Sequence, residues 1–216
     1  MHVHTSDLDR LSLGFGGYTC NWGVHMCGLY ESDAERDDLI FSFLHQGDVD
    51  GDQVRYYHAD PSPERFRREY ARRYPAEADH PGQPERFTLL SAEQRCYPTG
   101  RFEPLAQDSK LKAMRDRAVA DGTHIRGVGE MDWVLRGVPG LELLLPYEAR
   151  LNGLFTNAPM LMTCLYDLRR FPGSTIMGVL RTHRFSITRG LIVENPYYDP
   201  ERFLAEHAPP GWPPLA

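Results

Sequence analysis

The chain has 216 residues, of which 41% are hydrophobic and 25% are charged. This balance excludes a wholly disordered chain and predicts one globular domain that can bury its own core. The formal net charge is −6, which argues against direct nucleic-acid binding because such surfaces usually carry a net basic field.

Cysteine usage and the N-terminal sequence both predict a cytoplasmic protein. The cysteines are Cys20, Cys27, Cys96 and Cys164, and no apolar leader precedes them. Free thiols without a secretory leader are typical of a reducing compartment. The longest apolar run, residues 159–166, is far shorter than the roughly 18 residues that a membrane-spanning helix needs, so we expect no contact with a membrane.

Strand and helix patterns alternate along residues 22–205, which we interpret as one domain. Residues 1–21 are polar and glycine-rich and predict a mobile N-terminal segment. The chain after Asp199 contains five prolines, which favour extended structure, and residues 206–216 form a proline-rich tail. The predicted strands are 24–30, 53–59, 86–90, 124–131, 159–166, 185–188 and 191–194. The predicted helices are 33–46, 63–73, 110–121, 139–151 and 174–182, and residues 60–63 predict a turn.

This alternation predicts an α/β fold, a three-layer structure in which helices cover both faces of a mainly parallel sheet. Arg189 and Gly190 separate the last two strands, which is typical of a two-residue turn and predicts a C-terminal antiparallel hairpin. Ligands in such sheets bind near the carboxyl ends of the strands, so we expect the functional site there.

The first strand-to-helix turn is where a phosphate-binding loop would lie. Residues 29–36 read Leu-Tyr-Glu-Ser-Asp-Ala-Glu-Arg, with no glycine, no lysine and three carboxylates. A phosphate loop needs converging backbone N–H groups and a cation, so this turn predicts no ATP hydrolysis. A nucleotide-binding module that does not hydrolyse stays as an alternative. The chain also has no Gly-x-Ser-x-Gly nucleophile motif, and we expect a protein that is not an enzyme.

A second alternative is a metalloprotein or metalloenzyme that uses Cys20, His25 and Cys27. Thiolate and imidazole groups are good ligands for zinc or iron. The fourth ligand would have to come from Cys164 or His183. The competing interpretation is that these side chains are ordinary buried residues of a strand.

Acidic and aromatic residues follow two later strands, and others lie on the helix between those strands. They are Glu130, Trp133, Tyr147, Glu148, Tyr166 and Asp167. An aromatic box with a few charges suits a mostly apolar small molecule held by one or two polar contacts. The alternative is a purely structural ion-pair network, in which Glu148 and Asp167 pair with Arg150 and Arg169.

Several of these motifs, taken together and in order, resemble a known family. The motifs are HMCGLYE at 25–31, the stretch 43–60, RGVGEMDW at 126–133, YEARLN at 147–152, CLYD at 164–167, LRTH at 180–183 and NPYY at 195–198. They resemble the MEDS domain, a sensory domain of methanogens, methylotrophs and the repressor of dichloromethane metabolism. The resemblance spans roughly residues 22–205.

The resemblance implies a RecA-like or KaiC-like fold that has lost its phosphate loop and senses a small organic molecule to regulate transcription. It implies no cofactor. The pocket positions it implies are His25, Cys27, Tyr30, Glu31, Glu130, Trp133, Tyr147, Glu148, Tyr166 and Asp167. Because the sequence shows no helix-turn-helix or signalling module, we expect the signal to pass through a separate regulatory or DNA-binding protein. Formation of a homo-oligomer is left open.

Overall fold

The computed structural model describes residues 11–59 and 62–213. The predictions for residues 1–10, for the turn at 60–61 and for the tail at 214–216 lie outside the described residues. The strands are β1 Leu11–Ser12, β2 Thr19–Cys20, β3 Val24–Tyr30, β4 Gln53–His58, β5 Phe87–Ser91, β6 Ile125–Glu130, β7 Met160–Asp167, β8 Phe185–Thr188 and β9 Leu191–Glu194. The helices are α1 Asp33–Asp50, α2 Glu64–Arg73, α3 Ala92–Cys96, α4 Pro104–Asp121, α5 Leu144–Phe155, α6 Gly173–Thr182 and α7 Pro200–His207.

Seven of these strands form one sheet in the order β5-β4-β6-β7-β3-β8-β9. All neighbours pair in parallel except β8 and β9, which pair antiparallel through the turn at Arg189 and Gly190. Strands β6 and β7 are buried along their whole length, as central strands covered on both faces are. The prediction of a mainly parallel α/β sheet ending in an antiparallel hairpin is confirmed.

The sheet separates two apolar clusters, which gives the three predicted layers. On one face, α1 and α2 contribute Phe43 and Tyr70 to a cluster with Leu165. On the other face, α5 contributes Tyr147 and Leu151 to a cluster that also includes residues of α4 and α6. A cavity lies on this second face.

Several element boundaries differ from the sequence-based ones. Residues 11–20, within the segment predicted to be mobile, form a small hairpin in which β1 pairs with β2. Helix α4 begins at Pro104, not Lys110, and α5 begins at Leu144 after a short 3-10 turn, not at Pro139.

The prediction of extended chain after Asp199 is wrong for residues 200–207, which form α7. The Asp199 side chain accepts a hydrogen bond from the backbone N–H of Arg202 (3.2 Å) and so caps the helix. Pro200 occupies the first helical position, where a missing N–H is harmless and φ is already helical. Proline here begins a helix and does not prevent one.

None of the helices in the described part of the chain is both long and apolar enough to cross a membrane.

Candidate functional site

A cavity of about 70 Å³ lies between the second face of the sheet and the helices above it. Its floor is formed by strands β3, β4, β6 and β7, and its roof by α5 with parts of α3 and α4. The wall includes His25, Tyr57, Phe102, Gly129, Glu130, Trp133, Tyr147, Glu148, Phe155, Met162 and Cys164. Most of this lining is apolar or aromatic, and polar or charged side chains are supplied by Arg95, Gln107, His25 and Glu148.

Gly129 of β6 explains why there is space at this point of a densely packed face. At Gly127, two residues earlier, the Met162 side chain occupies the position that a Cβ would take. A Cβ at Gly129 would meet only Tyr57 Cδ2, at 3.9 Å. Gly129 pairs in register with Cys164 of β7, and its missing side chain leaves space above the sheet at this point.

The aromatic wall of the cavity is built around Trp133, which is 1% exposed. Tyr97 stacks on its ring with 5.2 Å between centroids, and Phe102 packs against it at 5.7 Å. Phe102 in turn meets Tyr147 edge-on at 5.5 Å. Such contacts favour a rigid apolar surface over a flexible one.

Glu130 borders the cavity at the carboxyl end of β6, but its side chain points to the opposite face of the sheet, because it alternates with Gly129 along the strand. Its carboxylate accepts hydrogen bonds from the Tyr56 hydroxyl (2.8 Å) and from the backbone N–H of Ala59, and Tyr56 belongs to the cluster on that face. Arg36 Nε of α1 lies 3.8 Å from the same carboxylate. These contacts compensate a buried charge behind the cavity floor.

The charged edge of the cavity is a cluster formed by His25, Glu148, Cys164 and His183, which we call the histidine–cysteine cluster. One ligand atom from each residue lies within 4.8 Å of all the others, and all four residues are buried. Glu148 Oε2 lies 3.2 Å from His25 Nε2, 3.4 Å from His183 Nε2 and 3.8 Å from Cys164 Sγ. His25 Nε2 and Cys164 Sγ are 3.3 Å apart.

The cluster shifts the protonation of its own members. Burial would raise the pKa of Glu148, but the adjacent His183 and His25 imidazoles hold it at about 2. Burial, followed by the neighbouring His183, lowers the pKa of His25. Burial and the Glu148 carboxylate raise the pKa of the Cys164 thiol well above its usual range.

Five of the ten predicted pocket residues come together at this cavity, namely His25, Glu130, Trp133, Tyr147 and Glu148. The other five lie elsewhere. Two of the three residues of the predicted aromatic box, Trp133 and Tyr147, therefore share one wall, and Phe102 completes it.

Each of the other five has a different set of contacts. Cys27 is buried and its Sγ lies 3.7 Å from the carbonyl oxygen of Phe185, to which it donates. Tyr30 belongs to the cluster on the opposite face of the sheet. Exposed Glu31 pairs with Arg189 (2.8 Å), Tyr166 packs edge-on against Phe171 (5.3 Å), and Asp167 pairs with Arg169 (2.7 Å).

The structure does not bring Cys20, His25 and Cys27 together as one set of ligands. Cys20 packs with the cluster on the opposite face, whereas His25 stacks on Phe155 of the cavity face at 5.5 Å. The group of possible metal ligands found in the described residues contains His25 but neither of these cysteines. It contains both Cys164 and His183 instead.

The contact of Glu148 with two histidines was not predicted from the sequence. Arg150, its suggested partner, is two positions away on α5 and pairs with Asp108 (2.7 Å). Residues two apart on a helix do not face each other, and this spacing was the available signal. Gly129 and Tyr57 were also missed, since a cavity left by an absent side chain has no sequence motif.

The turn between β3 and α1 holds a carboxylate where a phosphate would bind. The backbone N–H of Glu31 donates to Glu35 Oε2 (2.7 Å), and Ser32 Oγ accepts from the backbone N–H of Glu35 (3.2 Å). Ser32 thus caps α1, and Glu35 accepts from the residue before the cap. These two backbone N–H groups are satisfied by the chain's own side chains, and the turn has no functional phosphate loop.

A comparison with known protein families shows which family the chain belongs to. Residues 24–184 match the family described as MEDS, MEthanogen/methylotroph, DcmR Sensory domain. The chain belongs to the MEDS family. This membership supports a sensory or regulatory role, and the expected resemblance is confirmed over most of the chain.

Solved structures show where the MEDS fold belongs. The chain is similar to a KaiC-like protein from Pyrococcus horikoshii OT3, with a TM-score of 0.54 and 13% identity over 83% of this chain and 79% of that one. It is also similar to the flagellar accessory protein FlaH from Methanocaldococcus jannaschii, with a TM-score of 0.53 and 9% identity over 85% and 84% of the two chains. At these identities the likeness shows the fold alone, which is RecA-like and KaiC-like. No curated protein matches the chain.

Proposed function

We propose that this MEDS domain is a cytoplasmic, non-catalytic sensor that binds a small, largely apolar organic molecule in the cavity beside Gly129 and Trp133. The signal passes to a separate regulatory or DNA-binding protein and so to transcription. The observation that carries this proposal is the cavity itself, with its aromatic wall and the histidine–cysteine cluster at its edge. Family membership supports the sensory part of the proposal.

The size of the cavity limits its guest. Its volume of about 70 Å³ is room for roughly five water molecules at about 10–15 Å³ each. The guest therefore has only a few non-hydrogen atoms. The indole N–H of Trp133 has no hydrogen-bond partner among the described residues, and it supplies one donor for a polar atom of such a guest.

The absence of an activated nucleophile in the cavity supports binding without catalysis. Burial raises the pKa of Cys96, which lines the cavity, to about 11, and the Cys164 thiol is shifted in the same direction. The thiolate is the nucleophilic form of cysteine. In the metal-free protein these thiols are therefore protonated at neutral pH and inert.

The segment that contains Trp133 provides a route from the cavity to the surface. It is a 3-10 turn, Asp132–Arg136. Exposed Arg170 pairs with Asp132 (2.5 Å), and Arg136 donates to the Tyr97 hydroxyl (3.1 Å). A guest that binds better to one position of this turn than to another shifts its population, and this changes the surface that a partner protein meets.

Thermal unfolding of the purified chain with a panel of small molecules tests the proposal. The panel contains dichloromethane, 2-propanol and benzene. A guest that binds the folded state raises Tm in a concentration-dependent way. Gly129→Ala adds a methyl group to the cavity without a clash and should reduce the rise. Gly82→Ala is the matched control, because Gly82 is exposed with no atom near its Cβ position, and it should respond like the wild type.

Equal responses of wild type and Gly129→Ala to every compound would contradict binding in this cavity.

A further inference from the structure

Glu148 is a buried carboxylate without a strong cationic partner. Its residue is 2% exposed, and among the described residues its ion-pair partners are His25 and His183. A buried carboxylate needs a compensating positive charge. In this position the compensation must come from a protonated imidazole or from a bound cation.

The hydrogen bonds of His183 favour the bound cation. Its Nδ1 lies 2.9 Å from the carbonyl oxygen of Val179, so Nδ1 carries the proton and donates. In the neutral ring Nε2 then carries a lone pair, and Nε2 has no hydrogen-bond partner among the described residues. This lone pair lies 3.4 Å from the Glu148 carboxylate oxygen, so two acceptors face each other across a space that a cation would fill.

The distances within the histidine–cysteine cluster match a tetrahedral centre. Metal–nitrogen, metal–oxygen and metal–sulfur bonds of about 2.0–2.3 Å place neighbouring ligand atoms of a tetrahedron about 3.3–3.8 Å apart. Four ligand–ligand distances are 3.2, 3.3, 3.4 and 3.8 Å. All remaining pairs lie within 4.8 Å. The side chains therefore need little movement to bind an ion.

We propose that His25 Nε2, Glu148 Oε2, Cys164 Sγ and His183 Nε2 together bind one divalent transition-metal ion of the zinc class. Imidazole, thiolate and carboxylate in tetrahedral array are the donor set that zinc takes. The carboxylate and the thiolate balance the two positive charges, and the thiol proton is released to solvent on binding. The hydrogen bond from His183 Nδ1 to Val179 fixes the ring that binds the ion.

The proposed ion would lie in the wall of the cavity, because His25, Glu148 and Cys164 all line it. The proposal does not depend on the organic guest. A metal centre with no guest, and a guest with no metal, are separate results.

Cobalt titration of the full chain, purified without a histidine tag and treated with chelator, tests the proposal. Tetrahedral Co²⁺ gives strong visible bands, and a thiolate ligand adds a charge-transfer band in the near ultraviolet. We expect saturation at about one equivalent, with displacement by Zn²⁺. Elemental analysis of the untreated protein should give a matching zinc content.

Variants assign the ligands. Cys164→Ser should remove the charge-transfer band and weaken Co²⁺ binding by at least about tenfold, and His183→Gln should weaken binding similarly. Cys27→Ser is the matched control, because Cys27 is a buried cysteine on β3 outside the cluster, and it should keep the wild-type spectrum. Circular dichroism checks that each variant is folded.

A wild-type protein that shows no tetrahedral cobalt spectrum and no stoichiometric zinc would overturn the proposal whatever the variants do. A folded Cys164→Ser protein with an unchanged charge-transfer band would also overturn it.

Discussion

Glu148 on helix α5 meets His25 on strand β3, with 3.2 Å between Oε2 and Nε2. This contact ties the helix layer to the sheet at the edge of the cavity. One charged pair therefore supports both the packing of α5 and the shape of the site below it. Truncating Glu148 should affect both.

Glu148→Ala should destabilise the metal-free protein by about 3 kcal/mol. The substitution removes one partner of a buried charged cluster and leaves a void beneath α5. Urea unfolding in the presence of a chelator measures the change. Glu142→Ala is the control, because Glu142 is exposed in the 3-10 turn just before α5, and its effect should stay within about 0.5 kcal/mol. Equal effects of the two variants would refute the structural role of the cluster.

Arg126 of β6, on the opposite face of the sheet, should contribute at least as much to the unfolding free energy as Glu148 does. It is 0% exposed, pairs with Asp52 (2.9 Å) and Asp50 (2.9 Å), and donates to the carbonyl oxygen of Ser12 (2.7 Å). Arg126→Ala leaves buried Asp52 unpaired, so we expect a loss of about 3–5 kcal/mol in unfolding free energy.

The control for Arg126 is Arg117→Ala. Arg117 forms an exposed pair with Asp121 on α4 (3.9 Å), and exposed pairs contribute at most about 1 kcal/mol. A similar small loss for Arg126→Ala would show that the N-terminal hairpin is not anchored through this residue.

The lowered pKa of Asp48 predicts that the protein loses stability in acid. Burial raises its pKa, but hydrogen bonds from Tyr70, His80 and Arg86 outweigh burial and hold the pKa below its ordinary value. The folded state therefore binds this proton less readily than the unfolded state, whose carboxyl has a pKa of about 4. The stability that Asp48 contributes is present above that value and is lost as pH falls through the lower folded pKa.

Unfolding free energies of wild type and Asp48→Asn, measured from neutral to acid pH, check this. The difference should be constant above about pH 5 and shrink below about pH 4. A difference that is the same at every pH would contradict the assigned hydrogen bonds.

Two glycines of the central sheet should respond in opposite ways to alanine. A Cβ at Gly28 would lie 2.5 Å from Leu165 Cδ2 and 3.0 Å from Leu39 Cδ1, so Gly28→Ala pushes α1 away from β3. We expect a loss of about 1–3 kcal/mol. Gly129→Ala enters open space and should be neutral, or stabilising by up to about 1 kcal/mol. Thermal unfolding of both variants gives the comparison, and equal losses would mean that the cavity is closed in solution.

The strand at 24–30 begins and ends where predicted, because it is a buried and largely apolar run. The strands at 185–188 and 191–194 do so as well, because the turn at Arg189 and Gly190 fixes where the hairpin reverses. Helix α7 was missed because proline was interpreted only as a breaker, although Asp199 and Pro200 form a good helix start. Local patterns identify elements, but they fix helix starts less well.

The site was only partly predictable because tertiary contacts decide it. Position after a strand pointed to Trp133, which lines the cavity, and to Glu130, whose carboxylate accepts from Tyr56 on the opposite face of the sheet. The same reasoning grouped Tyr166 with them, although it packs against Phe171 instead. His183 joins His25 only through the pairing of β3 with β8, which no local spacing indicates.

A crystal structure of the wild-type protein prepared with dichloromethane tests the central claim most directly, because it shows where a small apolar guest lies. We expect density for one guest molecule between Gly129, Trp133 and Tyr147, with the Asp132–Arg136 turn displaced from its guest-free position. A cavity that stays free of the guest at saturating concentration, with the turn unmoved, would contradict it.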